Sequence, residues 1–266
     1  MAKLTRDHWW LWGQDPNSHH EMTNSDGKIR LPGDNKMTPE EGGKFFGIHN
    51  MCRIGMFGKP EPPFDKEMDK LVEFPKVAFS IIGDNGSLRN DNGGDDLDDV
   101  LQLVDKYPNL VAGVMDDFFS EKRKVVYTPE VLKGFADRLH AANLDLWCVI
   151  YEHQLLEENI PWLHTCDVVT TWNWVGSNLV NLEEDLEKLR GMMRPGQKLY
   201  HGCYLWSYGD CREYTDEEML YQLNLYKKWV EEDKIDGIIL CSNCVADIGL
   251  KTVDITLDWM KENVAD

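Results

Sequence analysis

Two hydrophobic patterns alternate along the chain. Short, nearly continuous apolar runs such as 110–115 and 235–240 are typical of strands covered on both faces, as in a parallel sheet. Between them lie longer segments in which apolar residues recur every three or four positions, as on one face of a helix. The runs predict eight strands, at residues 8–14, 51–58, 76–83, 110–117, 144–152, 166–174, 198–206 and 235–241.

The helical segments carry both periodicity and start signals. Apolar spacings of four, three and four residues predict one buried face in each of three helices: Leu182, Leu186, Leu189 and Met193; Met219, Leu223, Tyr226 and Val230; and Val253, Leu257, Met260 and Val264. Thr38, Thr128 and Thr215 are predicted N-caps. Proline directly follows the first two, and glutamate stands three residues after the first and the third.

Eight strand–helix units within 266 residues match the size of a closed (βα)8, or TIM, barrel of the α/β class. We predict one such domain over residues 1–266. The alternative is an open doubly wound sheet, which is disfavoured because no Gly-x-Gly-x-x-Gly follows the first predicted strand. The longest irregular segment, 15–37, follows that strand and is either a functional loop or a surface excursion.

The composition restricts the partners. A formal net charge of −19 makes the surface repel nucleic-acid phosphates and anionic membranes, so we expect neither as a partner. No apolar run reaches the ~18 residues of a membrane-spanning helix, and residues 1–6 lack the apolar segment of a signal peptide. The odd number of cysteines, seven, favours reduced thiols and a cytoplasmic location, although a signal peptide already removed would leave the same sequence.

Aromatic residues are concentrated at the carboxyl ends of the predicted strands, where barrel enzymes carry their chemistry. Pyranose rings have apolar C–H faces that pack on flat aromatic rings, and their hydroxyls suit amide and acid neighbours. We therefore expect a small carbohydrate as the substrate. The candidate substrate-binding residues are Trp12, Gln14, Asp84, Trp172, Asn173, Trp174, Trp206 and Tyr208. About half of these strand-end side chains must face the helices instead, because strand residues alternate.

Carboxylates also stand at strand ends. Asp116 and Asp117 directly follow the apolar run of the fourth strand, and Glu152 ends the fifth. A carboxylate is costly to bury without a partner, so such a group indicates acid–base chemistry or a metal site. Alternatively, some of these acids cap helices or pair with loop cations, above all Asp84, which precedes a polar loop. Adjacent residues point to opposite faces of a strand, and the spacing from Gly113 favours Asp117 as the one that faces the barrel axis.

The segment 113–118, Gly-Val-Met-Asp-Asp-Phe, resembles the fourth-strand signature of several TIM-barrel glycoside hydrolase families. It departs from the chitinase-like pattern Gly-x-Asp-x-Asp-x-Glu, because Met115 replaces the first aspartate and Phe119 the catalytic glutamate. Amylase-like and galactosidase-like families use a single fourth-strand aspartate as nucleophile, and Asp117 matches that position. The large group with glutamates at strands four and seven is not matched, since Trp-Ser ends the seventh predicted strand.

Together with this resemblance, the strand-end carboxylates predict a glycoside hydrolase in which Asp117 and Glu152 form the catalytic pair, one as nucleophile or base and the other as general acid. Asp116 would orient Asp117 or a sugar hydroxyl. No metal and no other cofactor is expected, and the sequence implies no particular oligomeric state. Two alternatives stay open: a sugar-binding barrel without catalysis, and a metal-dependent sugar isomerase or epimerase whose ligands would include His19, His20 and His153 with the same carboxylates.

Overall fold

A computed structural model describes residues 3–19, 31–91 and 93–265, without the side chain of Asp91. Eight parallel strands close into a barrel. They are β1 (Trp9–Gly13), β2 (Asn50–Arg53), β3 (Lys76–Ile82), β4 (Leu110–Met115), β5 (Asp145–Tyr151), β6 (Val168–Trp172), β7 (Lys198–Tyr204) and β10 (Gly237–Cys241). Their order around the barrel is β1-β10-β7-β6-β5-β4-β3-β2. The predicted (βα)8 fold is confirmed, and each predicted strand is present in shorter form.

Within the described residues, at least one α-helix separates each pair of consecutive barrel strands. The helices are α1 (Pro39–Phe46), α2 (Asp65–Lys70), α3 (Leu88–Asp91), α4 (Leu97–Leu101), α5 (Glu121–Val126), α6 (Pro129–Ala141), α7 (Ile160–Leu163), α8 (Leu182–Met192), α9 (Asp216–Glu231) and α10 (Lys251–Asn263). Two short strands, β8 (Trp206–Ser207) and β9 (Arg212–Glu213), pair with each other in antiparallel fashion. Trp206 therefore belongs to this small ribbon and not to the seventh barrel strand.

The predicted helix starts are confirmed by capping contacts. In both capping boxes the threonine oxygen accepts the N–H of the glutamate three residues on, at 3.3 Å for Thr38 and 3.2 Å for Thr215. Thr128 caps α6 by accepting the N–H of Val131. The predicted apolar face of α9 is fully buried. In α8 the helix ends at Met192, which is buried in place of the predicted Met193.

Gly113 lies on the helix side of β4. A side-chain carbon built there would come within 3.2 Å of Leu139 in α6 and within 3.1 Å of Ile81 in β3. Residues two and four positions further on share its face for as long as the strand continues. The strand ends at Met115, so alternation does not set the direction of Asp117. The Gly113 spacing therefore does not determine which way Asp117 faces, and its orientation toward the barrel axis stays a prediction.

The chain divides into two compact units. Unit 1 comprises Met1–Asn50, Trp172–Glu183 and Leu199–Asp266, and unit 2 comprises Met51–Thr171 and Glu184–Lys198. The single domain over residues 1–266 stays a prediction. None of the helices in the described ranges is both long and apolar enough to cross a membrane.

Both described ends of the predicted 15–37 loop are attached in unit 1 to Asn243, which is fully buried. The carboxamide of Asn243 donates to the carbonyls of Gln14 at 2.9 Å and Met37 at 2.7 Å, and it accepts the N–H of Gln14 at 2.9 Å. Residues 20–30 of this loop lie outside the described residues. Both ends of the loop are therefore held by the buried side chain of Asn243. The choice between a functional loop and a surface excursion stays open.

Candidate functional site

Three aspartates of unit 2 form a group at the ends of β3 and β4, and we call Asp84, Asp116 and Asp117 the acid group. Asp84 is 6% exposed and Asp116 is 5% exposed, whereas Asp117 is half-buried. Burial raises the pKa of Asp116 well above its usual value, and the charges of Asp117 and Asp84 act in the same direction. The structure thus brings together three carboxylates that the sequence had placed only at strand ends.

Asp117 has a left-handed backbone conformation, with φ of 45°. Few residues other than glycine adopt this region, and asparagine and aspartate are the usual exceptions. The Tyr151 hydroxyl donates to Oδ1 of Asp117 at 2.8 Å, and the Asn85 N–H donates to Oδ2 at 3.1 Å. The N–H of Asp117 itself donates to the Asp116 carboxylate at 2.8 Å. Hydrogen bonds therefore hold the backbone and both oxygens of this half-buried carboxylate.

The Asp84 carboxylate accepts three hydrogen bonds from neighbouring loops. The donors are the N–H of Phe57 at 2.9 Å, the N–H of Gly86 at 2.9 Å and the Ser87 hydroxyl at 2.6 Å. Burial nevertheless raises the pKa of Asp84. These contacts favour the alternative that Asp84 anchors the loops after β2 and β3, while its predicted contact with substrate stays a prediction.

A fully buried arginine joins the ends of β3 and β4. Arg123, in α5, has no exposed surface. Its guanidinium donates to four backbone carbonyls: Gly83 at 2.7 Å, Asp84 at 2.6 Å, Asp116 at 2.7 Å and Asp117 at 3.4 Å. The positive charge also opposes the rise in the pKa of Asp116. Arg123 is not among the sequence-predicted site residues. Tyr151 is one of the aromatic residues at the predicted strand ends, but no local sequence signal reveals its contact with Asp117 or the contacts of Arg123.

Glu152, the second predicted catalytic residue, begins a 3₁₀ turn directly after β5 and is half-buried. Burial raises the pKa of Asp185 in α8, and the charge of Glu152 adds to that shift. The two carboxylates are therefore close enough to repel each other. The pairing of Glu152 with Asp117 stays a prediction.

Most of the predicted aromatic residues pack on one another in unit 1. The contacts between ring centroids are Trp12–Trp172 at 4.9 Å, Trp172–Tyr204 at 5.1 Å, Tyr204–Tyr208 at 5.1 Å and Tyr208–Trp174 at 5.5 Å. We call these five residues the aromatic group. Four of them are at most 6% exposed, whereas Trp174 is half-buried. Trp174 therefore offers more ring surface for a sugar than any other member of the group.

Three other predicted residues of unit 1 are also buried. Gln14 is 2% exposed, Asn173 3% and Trp206 6%. Within the described part of the chain, Oδ1 of Asn173 is a buried acceptor without a hydrogen-bond partner. His19, one of the ligands of the isomerase alternative, shares a 2.7 Å hydrogen bond with the Tyr208 hydroxyl through Nδ1. Burial raises the pKa of Tyr208 well above its usual value.

No protein-family model matches the chain, and no curated protein matches it. Its fold does match solved structures. Bacillus cereus spore cortex-lytic enzyme SleL is 13% identical with a TM-score of 0.56, and the match covers 99% of this chain and 75% of that one. Ostrinia furnacalis Group IV chitinase is 10% identical with a TM-score of 0.55, over 99% of this chain and 100% of that one. Thermotoga maritima α-L-arabinofuranosidase is 13% identical with a TM-score of 0.54, over 92% and 66%.

The chain shares the TIM-barrel fold of these three enzymes. At identities this low the likeness concerns the fold alone, so the site has to be judged on its own residues. Phe119, which stands where the chitinase-like pattern has its catalytic glutamate, is 4% exposed and packs edge-on against Phe118 at 5.2 Å. Phe119 therefore cannot supply the carboxylate that the chitinase-like pattern has at this position.

Residues 3–19, 31–91 and 93–265 contain no group of three or more His, Cys, Asp or Glu side chains arranged to hold a metal ion. His20, one of the ligands named for the isomerase alternative, lies outside the described residues. All seven cysteines are free thiols, and six of them are buried. Burial raises the pKa of the Cys52 thiol well above its usual value, so this group is a poor nucleophile.

Proposed function

We propose that this protein is a glycoside hydrolase that acts on a small carbohydrate through carboxylates at the ends of β4 and β5. The observation that carries the proposal is the geometry of Asp117. Its carboxylate is half-buried at a strand end, and Tyr151 and Asn85 fix its two oxygens. Barrel enzymes place their reacting groups at this end of the strands, and a carboxylate held in one orientation can attack a sugar carbon or activate water.

In the proposed reaction, there are two routes for Asp117. It attacks the anomeric carbon, and water deprotonated by Glu152 then hydrolyses the glycosyl ester, or it removes a proton from water that attacks the anomeric carbon directly. The glycosidic C–O bond breaks, and Glu152 gives a proton to the leaving oxygen. Asp116 accepts the N–H of Asp117, so it is a positioning residue that acts through its neighbour. No cofactor takes part in this scheme.

Support for a sugar substrate comes from residue chemistry and from the fold. The half-buried Trp174 stacks on Tyr208 with an interplanar angle of 23°, which leaves a flat aromatic surface of the kind that sugar rings contact. The solved structures with this fold include enzymes named chitinase and α-L-arabinofuranosidase. The net charge of −19 disfavours nucleic acids, membranes and phosphorylated sugars as partners. A cytoplasmic location belongs to the same proposal.

The decisive test compares Asp117→Asn, Glu152→Gln and Asp116→Asn on a panel of aryl glycosides and chitin oligosaccharides. Asp117→Asn should lower kcat by about a thousandfold with little loss of stability, because the substitution keeps the shape and removes the charge. Glu152→Gln should remove one limb of the pH profile of kcat/KM. Near-normal turnover by Asp117→Asn would refute the assignment.

A second candidate function is sugar binding without catalysis. It is favoured by Phe119, a buried apolar side chain where the chitinase-like pattern requires its catalytic acid. This alternative predicts that the wild-type protein binds sugars of the panel, with a change in tryptophan fluorescence, but cleaves none of them. Binding that persists unchanged in Asp117→Asn, without turnover in either protein, would decide for it.

A further inference from the structure

Unit 2 contains a cavity of about 240 Å³. Phe119 lines it from the segment after β4, two residues beyond Asp117, and His153 lines it from the segment after β5. The His153 ring stacks on Tyr151 with centroids 5.8 Å apart and an interplanar angle of 17°. Tyr151 in turn donates to Asp117 at 2.8 Å. The cavity is thus connected through the rings of His153 and Tyr151 to the proposed reacting carboxylate.

The polar wall of the cavity is held in place by hydrogen bonds within the protein. The Lys124 side chain is only 8% exposed, and its ammonium contacts Glu121 at 2.7 Å, Glu158 at 3.1 Å and Oδ1 of Asn159 at 3.0 Å. Asn159, 2% exposed, donates to the carbonyl of Gln154 at 2.8 Å. These contacts fix the wall before any ligand arrives, which lowers the entropic cost of binding.

The charges of the wall select against anions. The ammonium of Lys124 has three N–H donors, and its three contacts account for all of them. The glutamates at the rim, Glu121 and Glu158, are 86% and 62% exposed and outnumber this single cation. A carboxylate or phosphate group would therefore meet net negative charge without an available cation.

The remaining wall suits the surface of a sugar. Gln154 and His153 supply groups that can donate and accept hydrogen bonds with hydroxyls. Phe119 and the 48% exposed Leu156 supply apolar contacts for a C–H face. The volume of about 240 Å³ is smaller than the ~300–1,000 Å³ of sites that hold drug-sized ligands, so it fits a single sugar ring and not an oligosaccharide.

We propose that this cavity is a subsite for one uncharged sugar unit, next to the unit whose bond is cleaved at Asp117. Its place relative to the cleaved bond rests on the proposed hydrolase function, whereas sugar binding in the cavity does not. A ligand held here would contact His153, whose ring stacks on Tyr151. Tyr151 is the residue that donates a hydrogen bond to Asp117.

The test is a heteronuclear NMR titration of the whole protein with glucose, galactose, arabinose and N-acetylglucosamine, each up to 100 mM, and with glucuronic acid as the anionic probe. At least one neutral sugar should shift the side-chain amide signals of Gln154 and Asn159, and glucuronic acid should bind at least threefold more weakly. Leu156→Trp fills the cavity and should abolish the shifts. Val72→Trp, at another exposed position of unit 2, is the matched control and should leave them unchanged.

The proposal is overturned if no neutral sugar shifts these amides, if glucuronic acid binds as tightly as the neutral sugars, or if the shifts survive in Leu156→Trp. Turnover of a glycoside distinguishes this failure from that of the proposed function. Sugar binding in the cavity without any turnover refutes the hydrolase and keeps the subsite. Turnover by the wild type without shifts at Gln154 and Asn159 keeps the hydrolase and refutes the subsite.

Discussion

Asp116 and Asp117 are neighbours in the chain, but their carboxylates have different surroundings. Asp116 is 5% exposed and accepts the N–H of Asp117, and burial together with two nearby aspartates raises its pKa. Asp117 is half-buried and receives hydrogen bonds from Tyr151 and from the loop after β3. The Asp116 carboxylate is therefore suited to holding the backbone of Asp117, and the Asp117 carboxylate is suited to reacting with a substrate.

Replacing Asp116 by Asn should stabilise the protein at pH 7. The folded-state pKa of Asp116 is raised above the unfolded value of about 3.9, so this group destabilises the fold progressively as the pH rises from about 3.9 through the folded pKa. Asn keeps an oxygen for the N–H of Asp117 and removes the charge. We expect a gain in the free energy of unfolding at pH 7 and a smaller gain at pH 4, measured by urea unfolding. A loss of stability at both pH values would contradict this.

Tyr151→Phe should impair catalysis more than folding. The substitution removes only the hydroxyl that orients Asp117, so kcat on a cleaved substrate should fall about 10- to 100-fold, with a smaller change in KM. The matched control is Tyr127→Phe, whose hydroxyl donates to the carbonyls of Asn90 and Gly94 and does not contact Asp117. That control should cost about 1 kcal/mol of stability and leave kcat within twofold. Equal effects of the two variants on kcat would show that Tyr151 has no special role.

At the scale of elements, the strands and helices could be predicted because the spacing of apolar residues along the chain shows which positions are buried. Every predicted strand is present. A predicted strand is too long where apolar residues continue beyond the last residue that pairs with a neighbouring strand. The prediction for the second strand extended to residue 58, whereas β2 ends at Arg53, because the residues that follow are buried without joining the ladder. The hydrophobicity of a residue indicates whether it is buried. It does not indicate where a strand ends, because that depends on hydrogen bonding to the partner strand.

The contacts within the acid group could not be predicted from local pattern. Arg123 stands in Glu-Lys-Arg-Lys, which has the composition of an exposed helix, yet its side chain is fully buried. The reason is tertiary: carbonyls at the ends of β3 and β4 converge on its guanidinium. The positive φ of Asp117 likewise comes from the turn after β4 and has no signature in the adjacent residues.

Arg123→Lys should show how far this arginine holds the ends of β3 and β4 together. Lysine keeps the charge but lacks the planar fork, so it cannot serve all four carbonyls at once. We expect the free energy of unfolding to fall by about 2–3 kcal/mol, because buried carbonyls lose their donors. Arg138→Lys is the control: Arg138 is half exposed and pairs with Asp98 at the surface, so its replacement should change stability by less than about 0.5 kcal/mol. Equal losses of unfolding free energy in both variants would contradict the conclusion that Arg123 holds the ends of β3 and β4 together.

At the scale of the whole molecule, buried titratable groups give opposite contributions to the pH dependence of stability. In unit 2, burial raises the pKa values of Asp84 and Asp116, so these groups favour the folded state more strongly as the pH falls. In unit 1, burial lowers the pKa of His201 to about 4, and this group disfavours the folded state at low pH. The measured profile is the sum of these effects, so only variants can separate them.

His201 should contribute to that profile between about pH 4 and pH 6.5. The ring is 3% exposed, packs on Tyr226 and Trp229, and has a folded pKa of about 4 against about 6.5 when unfolded. The stability that comes from keeping it neutral is complete above about pH 6.5, and about 3 kcal/mol of it is lost as the pH falls to about 4. Urea unfolding between pH 4 and pH 7 should therefore show a smaller loss towards acid in His201→Gln than in the wild type, whereas His49→Gln, at an exposed position, should follow the wild type. An NMR titration of the ring proton of His201 provides the independent measurement, and an apparent pKa of 6 or above would refute the assignment.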